Sequence, residues 1–407
     1  MTASFAWIDN SVEDRRRMLD AIDRLKETDS RDELGLATIR DGFANALFPG
    51  TGTLQTRAAY FLFIPWLYRE LHRKKITHER VEAAGRREEI NLIKALMESD
   101  DTEGVIGKVA QQELKRLPSS IYWNGLRTWG VFERDITLDE YHRQFEFFRE
   151  GADGARDDDE QLLDGAVRRD WNPGIPAAPE SFPKSAFFKL RKQDRAYLTE
   201  RITLAVGSSL LAWLLRHGAS LDSDTPWDHP QASAFPADIR KTLHHAQCFS
   251  DVMHGAPFLY NLMLAEELPP GERRTMLIDR YRSAIQQWRD ELVPRREVLS
   301  DWPLSLFWEF TRPLMRVSPG TMDFVRDWVS MKGWLAPDGL VDSQTARTLI
   351  RHRERRLKGA RARLGNQRAL ELWGQDSGTA RLLYRWPSAL RLLRDLRPEL
   401  TNDHAES

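Results

Sequence analysis

Residues 58–68 read AAYFLFIPWLY and place apolar side chains on every face of the helix that their spacing predicts. A helix that is apolar all round belongs in a protein core. We therefore expect a core helix from Leu54 to about Arg73, kinked or interrupted at Pro65. The apolar run is shorter than the roughly 20 residues that a membrane span requires, so we expect no membrane partner.

Apolar residues recur at helical spacing along most of the remaining chain, and the few candidate strands are short. The predicted fold is therefore mainly α and multi-helical. Residues 151–185 are rich in proline and glycine and contain the acidic run Asp157–Glu160, which indicates a linker. This linker separates a predicted N-terminal helical domain, residues 1–150, from a helical domain over residues 186–345. Residues 346–407 are predicted to form a basic helical extension and a tail.

The composition is that of an ordinary globular protein and limits the partners that the whole chain attracts. Lys and Arg number 60 against 61 Asp and Glu, for a net charge of -1, so any basic surface must be local. The one cysteine, Cys248, excludes an intramolecular disulfide and a thiolate zinc cluster. The N-terminus contains no apolar signal region. These features predict a cytoplasmic protein.

A helix predicted between Ser119 and Gly130 has one polar side and is followed by a two-stranded wing over Val131–Ile136. Together with the helices before it, this pattern is typical of a small winged helix-turn-helix element. Serine, asparagine and arginine at i, i+4 and i+7 are suited to base edges and phosphates. The predicted nucleic-acid contacts on this helix are Ser120, Asn124 and Arg127. The alternative is an ordinary surface helix with a polar outer face.

Residues 351–368, RHRERRLKGARARLGNQR, are strongly basic and contain a single acid, Glu354. On one continuous helix the apolar residues fall in one sector and the basic residues cover the other faces. That apolar sector comprises Ala346, Leu349, Ile350, Leu357, Ala360 and Leu364. Arginine forms bidentate contacts with phosphate, and the predicted phosphate-binding residues are Arg351, Arg355, Arg356, Lys358, Arg361 and Arg363. Contact with six to eight phosphates would lower the affinity by roughly 10³-fold or more between low and physiological salt.

The same arginines could instead bind other groups. The alternatives are acidic side chains of another domain, an acidic protein partner and a membrane surface. The apolar sector is narrow and lacks Trp and Phe, which makes the membrane the weakest of these alternatives.

The only cluster of metal-ligand residue types lies on one helix and comprises His244, His245, Cys248, Asp251 and His254. A single helix supplies only two or three converging ligands to zinc, so a packed amphipathic helix is the simpler interpretation. Asp101, Glu113 and Lys115 resemble a nuclease pattern, but Glu113 and Lys115 fall in a predicted helix instead of on strands. The chain lacks the phosphate loop, dinucleotide fingerprint, zincin motif and nucleophile elbow. We therefore assign no catalytic residue, metal ligand or cofactor.

Several stretches together resemble a bacterial family of unknown function along nearly the whole chain. They are residues 31–35, 47–51, 55–57, 60–66, 116–123, 253–256, 260–262 and 356–364. The resemblance implies no activity and gives no residue a role. It does imply an association with prokaryotic genome-defence genes.

These observations lead to one hypothesis and two alternatives. The hypothesis is a nucleic-acid-binding accessory protein, with DNA as its ligand, which lacks catalysis of its own and acts in antiviral defence beside other proteins of a defence operon. The first alternative is a scaffold that docks an acidic partner through the basic helix. The second is a metal-dependent, nuclease-like enzyme built around His244, Cys248 and His254.

Overall fold

A computed structural model describes residues 32–152, 170–218, 220–333 and 339–401. This part of the chain is mainly helical and contains no strand, only an isolated antiparallel bridge between Phe132 and Trp171. The prediction of a mainly α fold is confirmed. Within the same ranges no helix is both long and apolar enough to cross a bilayer. The acidic run Asp157–Glu160 lies outside the described residues.

The helices are numbered in chain order. They are α1 (Ala37–Leu47), α2 (Tyr60–Arg73), α3 (His78–Met97), α4 (Pro118–Thr128), α5 (Leu138–Arg143), α6 (Phe145–Ala152), α7 (Lys192–Ala205), α8 (Leu210–His217), α9 (Ala237–Met253), α10 (Gly255–Glu266), α11 (Glu272–Leu292), α12 (Arg296–Ser300), α13 (Leu304–Thr311), α14 (Pro319–Ser330), α15 (Gln344–Lys358), α16 (Gln367–Leu370) and α17 (Trp386–Leu396).

The chain divides into two compact units, each assembled from segments that are distant in sequence. Unit 1 comprises residues 1–42 and 245–382, and unit 2 comprises residues 43–244 and 383–407. The domains predicted from the sequence are contiguous instead, and their boundaries at residues 150, 185 and 345 stay a prediction.

In unit 2 the core forms around α2, which begins at Tyr60 and not at Leu54 as the sequence suggested. The difference arises because the residues before Tyr60 bond to side chains from elsewhere in the unit. The Tyr122 hydroxyl accepts the Thr56 and Arg57 amides at 2.8 and 3.1 Å, and Asp395 accepts the Ala58 amide at 2.7 Å. Residues 58–68 are all buried, as predicted, and Pro65 lies within the helix.

A buried carboxyl joins α3 to α4 in unit 2. Glu89 accepts the backbone amide and the hydroxyl of Ser119, each at 2.7 Å. Burial raises the pKa of Glu89 from its ordinary value of 4.5 to about 7, although the Ser119 hydrogen bonds favour the charged form. The start of α4 is thus fixed by a carboxyl that titrates near neutrality.

In unit 1 the central element is α10, whose side chains are buried on nearly every face. Helix α11 packs closely against it at Gly255, where a Cβ would lie 2.4 Å from the Trp288 ring. The Trp288 indole also donates to the Asp251 carbonyl at 2.7 Å. A residue without a side chain is therefore needed at position 255 for this approach.

Helix α15 is held in unit 1 by a buried arginine, Arg353, which is 4% exposed. All three of its guanidinium nitrogens donate: Nε to the Leu34 carbonyl, Nη1 to the Gly320 carbonyl and Nη2 to the Thr321 hydroxyl, each at 2.8 Å. The guanidinium also lies over the Phe324 ring, 5.2 Å from its centroid. A charge buried with this set of partners anchors a helix in one position.

We predict that Glu89→Gln changes the pH dependence of stability. Because the folded-state pKa of Glu89 lies above its unfolded value, its contribution to stability is fully present below about pH 4 and is lost as the pH rises through 7. The wild type should therefore lose on the order of 3 kcal/mol from this site between about pH 4 and 8. Glutamine cannot ionise, so the variant should lack this loss.

Urea unfolding at several pH values measures the difference. The control is Glu98→Gln, which changes an exposed carboxyl just beyond the same helix. A wild-type-to-Gln difference that stays constant across this pH range would contradict the prediction.

We also predict that Arg353→Lys destabilises the protein by roughly 2–4 kcal/mol, since an ammonium cannot reach the carbonyls and hydroxyl that the guanidinium fork bonds. The control is Arg355→Lys, which changes an exposed arginine of the same helix and should stay within about 0.5 kcal/mol of the wild type. Urea denaturation followed by circular dichroism compares the two. Equal effects would show that Arg353 is not an anchor.

Candidate nucleic-acid interface

Residues 351–368 do not form the single continuous helix that their charge pattern predicts. Helix α15 ends at Lys358, because Gly359 adopts a φ of 56°. The chain then turns back, and Glu354 accepts the amides of Arg363 and Leu364 at 2.8 and 3.1 Å. Leu357 and Ala360, predicted to lie in the apolar sector, are consequently exposed, whereas Leu364 is buried.

Two of the residues that were predicted to bind phosphate pair instead with an acidic side chain of the same unit. Lys358 and Arg363 both pair with Glu33, the arginine at 2.7 Å, and the Glu33 side chain is 2% exposed. The Tyr260 hydroxyl donates to Glu354 at 2.5 Å beside them. These two cations therefore neutralise a buried carboxylate, and we do not include them in the interface.

A different set of basic residues faces solvent. Arg351, Arg355 and Arg356 are exposed, and within the described ranges none of them has an ion-pair partner. The Arg356 guanidinium lies against the backbone of Gly320, where a Cβ would come within 2.9 Å of it. Arg361 is also exposed, on the turn after the helix. We call Arg351, Arg355 and Arg356 the arginine face.

A groove of about 590 Å³ lies beside the arginine face, between α14 and α15. Thr348 and His352 line it, and each is one helical turn from an arginine of the face. Its other lining residues are Asp327, Met331, Gln344, Thr345 and Leu349. Since Arg326 pairs with Asp327 at 3.0 Å, the one carboxylate of the groove is partly neutralised.

The predicted base-reading helix is α4, in unit 2. Ser120 and Asn124 are exposed on it as expected, but Arg127 is half-buried and pairs with Asp135. Residues 131–136 contain no strand, so the described chain shows no two-stranded wing at this position. Instead, the Ile136 carbonyl accepts the indole of a core tryptophan, Trp123, at 2.9 Å, and this bond holds the segment against the unit.

The residues of the metal or thiol alternative are held by internal partners. Burial raises the pKa of the Cys248 thiol to about 12, so it is not a ready nucleophile. Asp251 pairs with Arg295 at 2.6 Å and with Arg381 at 2.5 Å. His254 bonds the Thr379 carbonyl at 2.8 Å, whereas His244 is exposed. No three His, Cys, Asp or Glu side chains among the described residues are grouped to hold a metal.

One charged cluster was not identified from the sequence. Arg57, which precedes α2, pairs with Asp101 at 2.6 Å and with Asp395 of α17 at 3.1 Å. The only local signal for it is the polar segment Gln55–Arg57 at the start of an apolar run, because Asp395 is 338 residues away along the chain.

Comparison with known proteins gives a single match. No curated protein and no solved structure matches the chain. The model of one family, described as a family of unknown function, matches residues 2–399. The resemblance noted in the sequence is confirmed to that extent, over nearly the full length. The chain belongs to the family of unknown function DUF6361.

Proposed function

We propose that this protein is a nucleic-acid-binding accessory protein, with DNA as its ligand and without catalysis of its own. The observation that carries the proposal is the arginine face of α15. Three guanidiniums lie exposed on one helix and are not paired within the described ranges, while Arg353, Lys358 and Arg363 of the same stretch are engaged internally. Exposed arginine that is not neutralised by its own protein is available for phosphate.

The size of the arginine face sets the strength of the salt effect. Three phosphate contacts give a slope of log affinity against log salt of about −2.7, which is roughly a 40-fold loss between about 50 and 200 mM salt. This is less than the loss expected for six to eight contacts, because several of the basic residues are internal. The expected electrostatic contribution to binding is therefore limited to this local surface.

Two further features complete the proposal. Ser120 and Asn124 of α4 are exposed. We assign the contacts with base edges to these two side chains, as on the recognition helix of a helix-turn-helix. Arg127 pairs with Asp135, so we do not include it among these contacts. The resemblance to bacterial proteins associated with genome-defence genes supports a role in antiviral defence, beside other proteins of a defence operon.

The scaffold alternative uses the same arginines, with an acidic protein in place of DNA, and the experiment below separates the two. The metal-enzyme alternative is weaker, because Asp251 and His254 bond internal groups and burial disfavours the Cys248 thiolate.

We predict that Arg351→Gln/Arg355→Gln reduces the magnitude of the salt slope for a DNA oligonucleotide by about 2, since each phosphate contact contributes about 1. Affinity should fall similarly for oligonucleotides of different sequence. Fluorescence anisotropy at four or more salt concentrations measures both quantities. Single-stranded and duplex DNA of the same sequence are compared.

The matched control is Arg273→Gln/Arg282→Gln, which removes the same charge from two exposed arginines of α11. The control should leave the slope unchanged. Absence of DNA binding by the wild type at low salt, or equal slopes in all three proteins, would rule out the arginine face as a DNA-binding surface.

A further inference from the structure

Unit 2 contains a cleft of about 380 Å³ that the proposed function does not use. Its lining includes an ion-paired arginine, two aromatic rings and three further cations, contributed by different segments of the unit. The residues that matter here are Arg57, Asp100, Phe187, Lys189, Arg394 and Asp395. A volume of this size is within the range of small-molecule sites.

One part of the cleft is built from fixed charges. The Arg57 Nε donates to both carboxylate oxygens of Asp395 at 3.1 Å, and its guanidinium lies over the Phe188 ring, 4.4 Å from the centroid. The Tyr122 hydroxyl donates to the Arg57 carbonyl at 2.9 Å and fixes the backbone there. The Asp395 side chain is 11% exposed, and its partial burial raises its pKa against the opposing effect of Arg57. This part is therefore preorganised.

Of the three further cations, Arg195 donates to the Leu190 carbonyl at 2.8 Å, and the other two are uncommitted. Lys189 and Arg394 are exposed, and in the described part of the chain neither has a hydrogen-bond or ion-pair partner from its side chain. Phe187 is 56% exposed although it borders this cleft. Two free cations beside an accessible aromatic face are the groups that bind a phosphate and a planar base. The Asp100 carboxylate is also exposed in the cleft and can accept a hydrogen bond from an exocyclic amine.

We propose that this cleft binds a nucleoside 5′-phosphate, with the base against Phe187 and the phosphate between Lys189 and Arg394. The ligand is either a free mononucleotide or the 5′-phosphorylated end of a strand, since both present the same chemistry. The proposal does not rest on the arginine face, which belongs to unit 1.

The experiment is isothermal titration calorimetry of the full chain with each of the four ribonucleoside 5′-monophosphates, with adenosine and with inorganic phosphate. At least one mononucleotide should bind, and adenosine and phosphate should each bind at least about 10-fold more weakly than it does. Lys189→Gln/Arg394→Gln should lower the mononucleotide affinity by roughly 10-fold or more. Phe187→Ala should lower it by roughly 5-fold or more, through lost stacking.

The control is Arg273→Gln/Arg282→Gln, which removes the same charge from two exposed arginines of α11 and should bind mononucleotide like the wild type. Because the residues changed in the cleft are exposed, thermal melts should confirm that the variants fold. If no mononucleotide binds at millimolar concentration, or if the cleft variants bind as tightly as the wild type, the proposal is overturned. This outcome is independent of the DNA salt slope, so failure of one proposal is distinguishable from failure of the other.

Competition identifies the source of the ligand. Displacement of bound mononucleotide by a 5′-phosphorylated oligonucleotide, and not by its 5′-hydroxyl counterpart, supports the site and assigns it to strand ends. Absence of displacement by either supports the site for free nucleotides.

Discussion

The position of α15 in unit 1 depends on the buried guanidinium of Arg353. Its bonds to Leu34, Gly320 and Thr321 tie α15 to a segment before α1 and to the start of α14. Moving α15 would leave a charge without water and without partners, which costs several kcal/mol. The helix is consequently held with one side turned inward, and this determines which of its other arginines are exposed.

A second buried side chain, Glu354, fixes the path of the chain after α15. Glu354 accepts two amides from the chain beyond Gly359 and the hydroxyl of Tyr260. Glu33 lies beside it with Lys358 and Arg363. Several stretches that carry the family resemblance meet in this network, including residues 31–35, 260–262 and 356–364. In these stretches the side chains of Glu33, Tyr260, Lys358 and Arg363 hold the fold, so at those four positions the resemblance concerns architecture.

The apolar part of this fold could be predicted from the sequence, and the polar part could not. Periodicity identified residues 58–68 as core, because burial of apolar side chains depends on local pattern. It could not distinguish Arg353 from Arg355, since both are arginines on one helix and differ only in what faces them. The partners of Arg353 lie up to 319 residues away in sequence. Gly359 marks the end of α15. The basic residues continue beyond this glycine, however, and their spacing predicted a longer helix.

The same limit applies to the candidate sites. The sequence correctly placed Arg351, Arg355 and Arg356 on the solvent side, because charged residues are exposed unless a partner is supplied. The same charge pattern also predicted Lys358 and Arg363 to be available for phosphate, although both pair with Glu33. In unit 2 the pairing of Arg57 with Asp395 joins segments that no local motif connects.

The arginine face is maintained at a small cost to the helix itself. Arg351 and Arg355 are four residues apart, and like charges at this spacing destabilise an isolated helix by roughly 0.2–0.5 kcal/mol. The negative end of the helix dipole offsets part of this repulsion, because Arg355 and Arg356 lie in the last turn. A bound phosphate would remove the remainder. Binding of the proposed polyanion would thus gain from relief of repulsion as well as from direct contact, because the internal carboxylates are already paired with other cations.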